Sequence, residues 1–184
     1  QQFQLAADFH PPLYHVILHF WMLFGHSEIW IRLLSVLFGV MSIWGIYEIA
    51  HILGNKKTGM YAAFLLAVSP YHIWYSQETR PYMQFATISV FATLFLFRKN
   101  RKLYTLSIIF GLLTHYFFLF LLIGHFGVVF VYYIKELRKW FTSVLIGFLG
   151  FLLWVPSFLQ QLQIGTNGFF SGWTDIVSVS LLKV

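Results

Sequence analysis

The chain alternates long apolar runs with short polar connectors, and the runs are too continuous to be one-sided faces of soluble helices or strands. Runs over residues 29–53, 60–74, 82–97, 103–116, 117–134 and 140–156 each predict a helix. Between them lie the connectors 54–59, 76–81, 98–102 and 135–139, all strongly basic except the second. The uncharged stretch 103–134 would be about 48 Å long as one helix, against a hydrocarbon core of about 30 Å. It therefore predicts two short helices, with a reversal at Thr114-His115-Tyr116. Residues 13–24 would reach only about 18 Å. With Tyr14, His15, His19 and Trp21 behind Pro11-Pro12, they predict an interfacial helix that lies on the outer surface without crossing.

This pattern predicts an all-α, polytopic membrane bundle of about six transmembrane helices. It divides the chain into an outer loop with the interfacial helix (1–27), the transmembrane bundle (28–157), and an outer loop leading to a further membrane segment (158–184). Composition agrees: 59% of residues are hydrophobic, 21% aromatic and only 10% charged. A soluble domain carries about 25% charged residues, and a disordered chain is poor in apolar residues, so both classes are excluded. Without cysteine, a metal site would need His and carboxylate ligands. The formal charge of +6 is spread over three short clusters rather than one face, which argues for topology signals and against a nucleic-acid partner. The chain opens at Gln1 without a charged n-region ahead of an apolar h-region, and it reads as an internal piece of a longer protein.

Two crossings over residues 103–134 place all three basic clusters on the cytoplasmic side, whereas one crossing would split them. The same parity sends residues 8–25, 77–81, 114–116 and 160–175 to the non-cytoplasmic face. The polar residues able to do chemistry thus collect at one face of the cell membrane.

Asp8-Phe9-His10 sets an acid and an imidazole before a stiff diproline, either as a positioned site or as the incidental start of a helix. Gln77-Glu78-Thr79-Arg80-Pro81-Tyr82 sets a guanidinium beside a proline-started helix, an arrangement suited to a phosphate. Its alternative reading is a Glu78–Arg80 pair that caps a loop. Arg32, near the outer interface, is expected to snorkel, and Glu48 and His51 to pair at the other boundary. His115 is a candidate at the outer turn, while His26, His72 and His125 have no evident partner.

Read together, His10-Pro-Pro-Leu-Tyr14, Ser27-Glu-x-x-x-Arg32-Leu-Leu-Ser35 and Ser69-Pro-Tyr-His-x-x-Tyr-Ser-Gln-Glu-x-Arg-Pro-Tyr82 resemble the bacterial dolichyl-phosphate-mannose-protein mannosyltransferase-like family. Gly111-Leu-Leu-Thr-His-Tyr116 and Trp154-Val-Pro-Ser-Phe-Leu-Gln-Gln161 extend the likeness over nearly the whole chain. The resemblance implies the type C membrane glycosyltransferase fold, shared with the aminoarabinose lipid A transferases. It implies transfer of a sugar from a polyprenyl-phosphate donor to a lipid, glycan or protein acceptor at the outer face. It also implies an essential acid, usually in an Asp-Glu pair upstream of the diproline. This chain has no such pair, so that acid lies upstream of Gln1 or is Asp8, and the first is the expectation. Asp8 and Glu78 are then the candidate catalytic acids. His10, Arg80, Tyr82 and His115 are the candidate substrate-binding residues, and Glu78 and His10 the candidate ligands if a divalent metal is used. The alternative class, a multi-pass transporter or channel fragment, would place its polar groups near the bilayer midplane on broken helices.

Overall fold

The first six described helices start where the sequence supplies a cap or a proline, and this punctuation sets much of the architecture. The computed structural model describes residues 10–162, which belong to two units: residues 10–151, and a second unit of which residues 152–162 are described. In the first unit α1 (Leu13–Met22) follows Pro11-Pro12. The helix α2 (Glu28–Leu53) begins at Ser27, whose hydroxyl accepts the Trp30 amide at 3.2 Å, with Glu28 favouring the positive end of the helix dipole. Asn55 caps α3 (Lys56–Ala67) through the Thr58 amide at 3.1 Å, and Pro70 opens α4 (Pro70–Ser76). Then come α5 (Tyr82–Phe97), α6 (Arg101–Leu112) capped by Asn100, α7 (Phe118–Tyr132), a 3₁₀ turn at Ile134–Glu136, and α8 (Leu137–Phe151). The second unit shows a 3₁₀ turn at Leu152–Trp154 and helical residues 155–162.

Among the described residues there is no strand, in keeping with the all-α prediction. Among the described residues two segments, Glu28–Leu53 and Ile134–Leu162, are long and apolar enough to cross a membrane. The apolar α5 and α7, with 16 and 15 residues, reach only about 24 and 22 Å. Side chains such as Phe64, Leu65, Phe120, Ile123, Leu145 and Leu149 lie exposed on α3, α7 and α8, where lipid is the compatible solvent.

Within the first unit α2 packs against α3, α4 and α5, while α5 hands over to α6 and α6 to α8, with α7 alongside. Small side chains make this possible. On α2 the buried face is largely Ser35, Gly39, Ser42 and Gly45, and a Cβ at Gly39 would collide with Ser76 of α4. On α8 a Cβ at Gly147 would collide with Ile108 of α6. Close backbone approach through small residues is how helices gain dispersion energy where no hydrophobic force separates them from the solvent.

The predicted reversal occurs where the length arithmetic put it, since α6 ends at Leu112 and α7 begins at Phe118. The amides of Thr114 and His115 both turn back to the Gly111 carbonyl, at 3.1 and 3.0 Å. The run 60–74 differs from its prediction. It is broken between Ala67 and Pro70, because a proline drives the preceding residue out of helical conformation, and Ser69 is extended at ψ 123°.

The turn from α5 to α6 carries a left-handed residue, Lys99 at φ 54°. The Lys99 amide reaches the Leu96 carbonyl at 3.0 Å and the Asn100 amide reaches Phe95 at 2.9 Å, the paired bonds of a Schellman cap. Nearby, Glu48 pairs with Arg98, the residue that ends α5, and not with His51 as the sequence suggested; the His51 ring lies against Tyr47 at 5.8 Å. A permanent guanidinium at the end of α5 outcompetes an imidazole three positions along α2. This pair, and Lys99 over the Tyr133 ring at 5.1 Å, gather the basic connectors at one end of the unit. The residues of chemical interest are at the other.

Candidate functional site

At that other end the chain between α4 and α5 is held to α2 by backbone carbonyls. Arg32 donates from Nη1 to the Gln77 carbonyl at 2.8 Å, while its Nε and Nη2 hold Glu28 Oε1 at 3.0 and 2.7 Å. Ser35 donates to the Glu78 carbonyl at 2.6 Å. These bonds fix the turn without using its side chains. Glu78 accepts the Trp74 indole N–H at 3.0 Å, through Oε1. Arg80 is exposed and forms no ion pair with any described residue, so the proposed Glu78–Arg80 loop cap is not formed. Arg32, Trp74, Gln77, Glu78, Thr79 and Arg80 line an open recess of about 530 Å³.

Two positions after Arg80, Tyr82 opens α5 and enters a second group. The Leu13 amide at the start of α1 donates to the Leu113 carbonyl at 2.9 Å, which ties the diproline segment to the α6–α7 reversal. His10 is thereby set edge-on to His115, with ring centroids 5.2 Å apart, and 6.1 Å from Tyr82. Tyr82 and His115 are 6.2 Å apart, with Tyr75 and Phe85 at 5.4 and 5.1 Å from them respectively. Tyr14 is buried beside Ser35, and burial pushes its phenol up to about 12 against the opposing effect of Ser35, so it remains protonated. Below Tyr82 and Tyr75, an apolar groove of about 410 Å³ runs between α2 and α5, past Met83, Ala86 and Val90.

His115 is half-buried, and burial lowers its pKa from the ordinary 6.5, helped by the nearby charge of His10. Its Nδ1 accepts the Phe117 amide at 3.2 Å. In the neutral ring the proton then sits on Nε2, a donor turned away from its own turn. Such a group suits holding an acceptor or phosphate oxygen better than carrying a permanent charge.

The structure thus brings together His10, Tyr82 and His115, and sets Glu78 and Arg80 in an adjoining recess. Asp8 lies outside the described residues, as do residues 163–184 of the predicted outer loop. Of the two metal-ligand candidates, Glu78 belongs to the recess and His10 to the ring group. Among the described residues no three His, Asp, Glu or Cys side chains are placed to hold a metal ion. Arg32, expected from the sequence to snorkel, instead ties down the turn. Its signal was Glu28 four positions earlier, which fixes one edge of the guanidinium and leaves the other to reach the turn. His72 and His125, unassigned from sequence, are internal. His72 faces Ser42 at 3.3 Å, and His125 lies between Thr93 and Tyr104, each at 3.0 Å.

A family model described as dolichyl-phosphate-mannose-protein mannosyltransferase matches residues 9–160. No curated protein and no solved structure matches the chain.

Proposed function

The chain belongs to the dolichyl-phosphate-mannose-protein mannosyltransferase family, and from that premise we propose that it transfers a sugar from a polyprenyl-phosphate donor at the non-cytoplasmic face of the membrane. The acceptor is a hydroxyl or amine of a lipid, glycan or protein. In this reading about six crossings bring the basic connectors to the cytoplasmic side. The observation that carries it is Arg80: a guanidinium with no ion-pair partner among the described residues, sharing a recess with Glu78 and adjoining the His10–Tyr82–His115 group.

In the proposed reaction the acceptor oxygen or nitrogen attacks the anomeric carbon and loses its proton to a carboxylate. The bond from that carbon to the phosphate oxygen breaks, and polyprenyl phosphate departs with the electron pair. Within this chain Asp8 is the candidate for that carboxylate. Arg80 holds the phosphate as its charge grows, when a preorganised donor is worth most. Glu78 orients the acceptor, while His10 and the Nε2–H of His115 donate to the sugar or phosphate. The tyrosine-topped groove receives the first isoprene units.

The transporter alternative gains no support, because the described polar groups of chemical interest gather at one end instead of on broken helices at mid-bundle. The direct test is reconstitution of the full-length protein with a radiolabelled polyprenyl-phosphate sugar and membrane acceptors. Transfer of label with release of polyprenyl phosphate is expected. Donor consumed by neither transfer nor hydrolysis, with label instead moved across the vesicle wall, would overturn the proposal.

A further inference from the structure

We propose that the cleft at the opposite, basic end of the bundle binds an anionic phospholipid. The cleft, of about 490 Å³, opens between the end of α5, the start of α6, the end of α7 and the start of α8. Its inner part is apolar, formed by Phe95, Leu96, Val129 and the buried Trp140. Among the described residues its mouth carries Lys99, Arg101 and Lys139 against one acid, Glu136, and Glu136 is already held by Lys139 at 2.9 Å. Two cations are therefore left in excess over a slot that has no use for them.

The floor is rigid and chemically closed. The Trp140 indole N–H donates to the Tyr104 hydroxyl at 2.9 Å, and that hydroxyl meets His125 Nδ1 at 3.0 Å. With these polar atoms satisfied by one another, and Ser143 donating to the Lys139 carbonyl at 3.1 Å, the floor offers a ligand mainly ring faces and aliphatic surface. A free anion would not need that slot, and a purely apolar molecule would not need the cations. An amphiphile with an anionic head fits both halves.

Lys99 strengthens the case. It occupies the left-handed position of the Schellman cap, where glycine is favoured and a lysine backbone is strained. The strained backbone places its ammonium 5.1 Å from the Tyr133 ring, at the mouth of the cleft. A basic cluster at a membrane boundary attracts anionic headgroups by about 1 kcal/mol per charge, which is about fivefold in affinity. Binding here is independent of the glycosyl-transfer reading, since none of these residues belongs to the candidate site.

The test is native mass spectrometry of the full-length protein released from mixed phosphatidylglycerol–phosphatidylcholine micelles. Retention of phosphatidylglycerol over phosphatidylcholine is expected. Lys99→Gly relieves the strained backbone, so the protein should melt no lower, yet its preference should fall about fivefold. The double change Lys99→Gly with Lys139→Gln should abolish most of it. Lys57→Gln with Lys135→Gln removes the same charge from the same end outside the cleft and should leave the preference intact. Equal retention of the two lipids, an equal loss in the control pair, or full displacement by inorganic phosphate would each overturn the proposal.

Discussion

The ring of His10 stands edge-on to that of His115 at 5.2 Å, although α1 to α6 lie between them in the chain. Their proximity depends on the bond from the Leu13 amide to the Leu113 carbonyl, and it makes the protonation of one ring a concern of the other. His115 should therefore titrate below 6.5 by NMR, chiefly through burial. In His10→Gln its pKa should rise only part of the way back, because one lowering influence is gone and the burial remains. A folded-state pKa below the unfolded value means that the unfolded chain binds the proton more readily. The stability contribution of His115 is thus complete above about 6.5 and declines as the pH falls from there through the lowered folded value. An imidazole titrating at or above 6.5 would contradict the described burial.

What the sequence revealed of this end, and what it hid, follows from the range of each interaction. The α6–α7 reversal was legible because a charge-free stretch of that length exceeds one bilayer crossing, whatever it packs against. The interruption before Pro70 was written just as locally, in the dipeptide Ser69-Pro70, yet the continuous apolar run around it masked the signal. Glu78 and Arg80 were visible as a motif, but their geometry was not. Arg80 has no ion-pair partner among the described residues because Glu78 turns to Trp74, and the backbone of the turn is held by Arg32 and Ser35 from α2. The meeting of His10 with Tyr82 and His115 is a purely tertiary event, carried by a backbone bond between two leucines that no pattern singles out.

The turn from α1 to α2 should depend on a reciprocal pair. The indoles of Trp21 and Trp30 stack at 4.7 Å, and each donates its N–H to the other's backbone carbonyl, at 2.8 and 3.1 Å. Trp21→Phe keeps most of the stacking surface and removes one donor, leaving the Trp30 carbonyl with its helical partner alone. A loss of about 0.5–1.5 kcal/mol is expected in denaturant unfolding of the detergent-solubilised protein. An unchanged midpoint would show that the stack alone holds the turn.

Glycines of α3 and α7 should respond in opposite directions to alanine. At Gly59 a Cβ would lie 2.8 Å from the Tyr47 carbonyl oxygen and 3.0 Å from its ring, so α3 would have to move away from α2. Backbone cannot swing aside as a side chain can, and Gly59→Ala should cost about 1–3 kcal/mol. At Gly124 a Cβ meets nothing within 4 Å, so Gly124→Ala should be neutral or gain up to about 1 kcal/mol of helix propensity. Thermal melts of the two variants, side by side, decide the matter.

Arg32 and Arg80 line one recess but should fail in different ways when changed. Arg32 is occupied, with Glu28 on one edge and the Gln77 carbonyl on another, and its ion pair is largely solvent-exposed. Solvent screens that pair, so Arg32→Ala should cost only about 1 kcal/mol of stability, most of it from the lost bond to the turn. Arg80 has no such ties among the described residues, so Arg80→Lys should leave the melting temperature where it is. If Arg80 receives the departing phosphate, lysine cannot reproduce its planar, two-point grip, and transfer from a polyprenyl-phosphate sugar should fall steeply. Because that grip tightens as charge develops, kcat should drop more than KM rises, with each tenfold loss equal to about 1.4 kcal/mol. Normal turnover in Arg80→Ala, with the protein folded, would remove this residue from the site and leave the phosphate to His10 and His115.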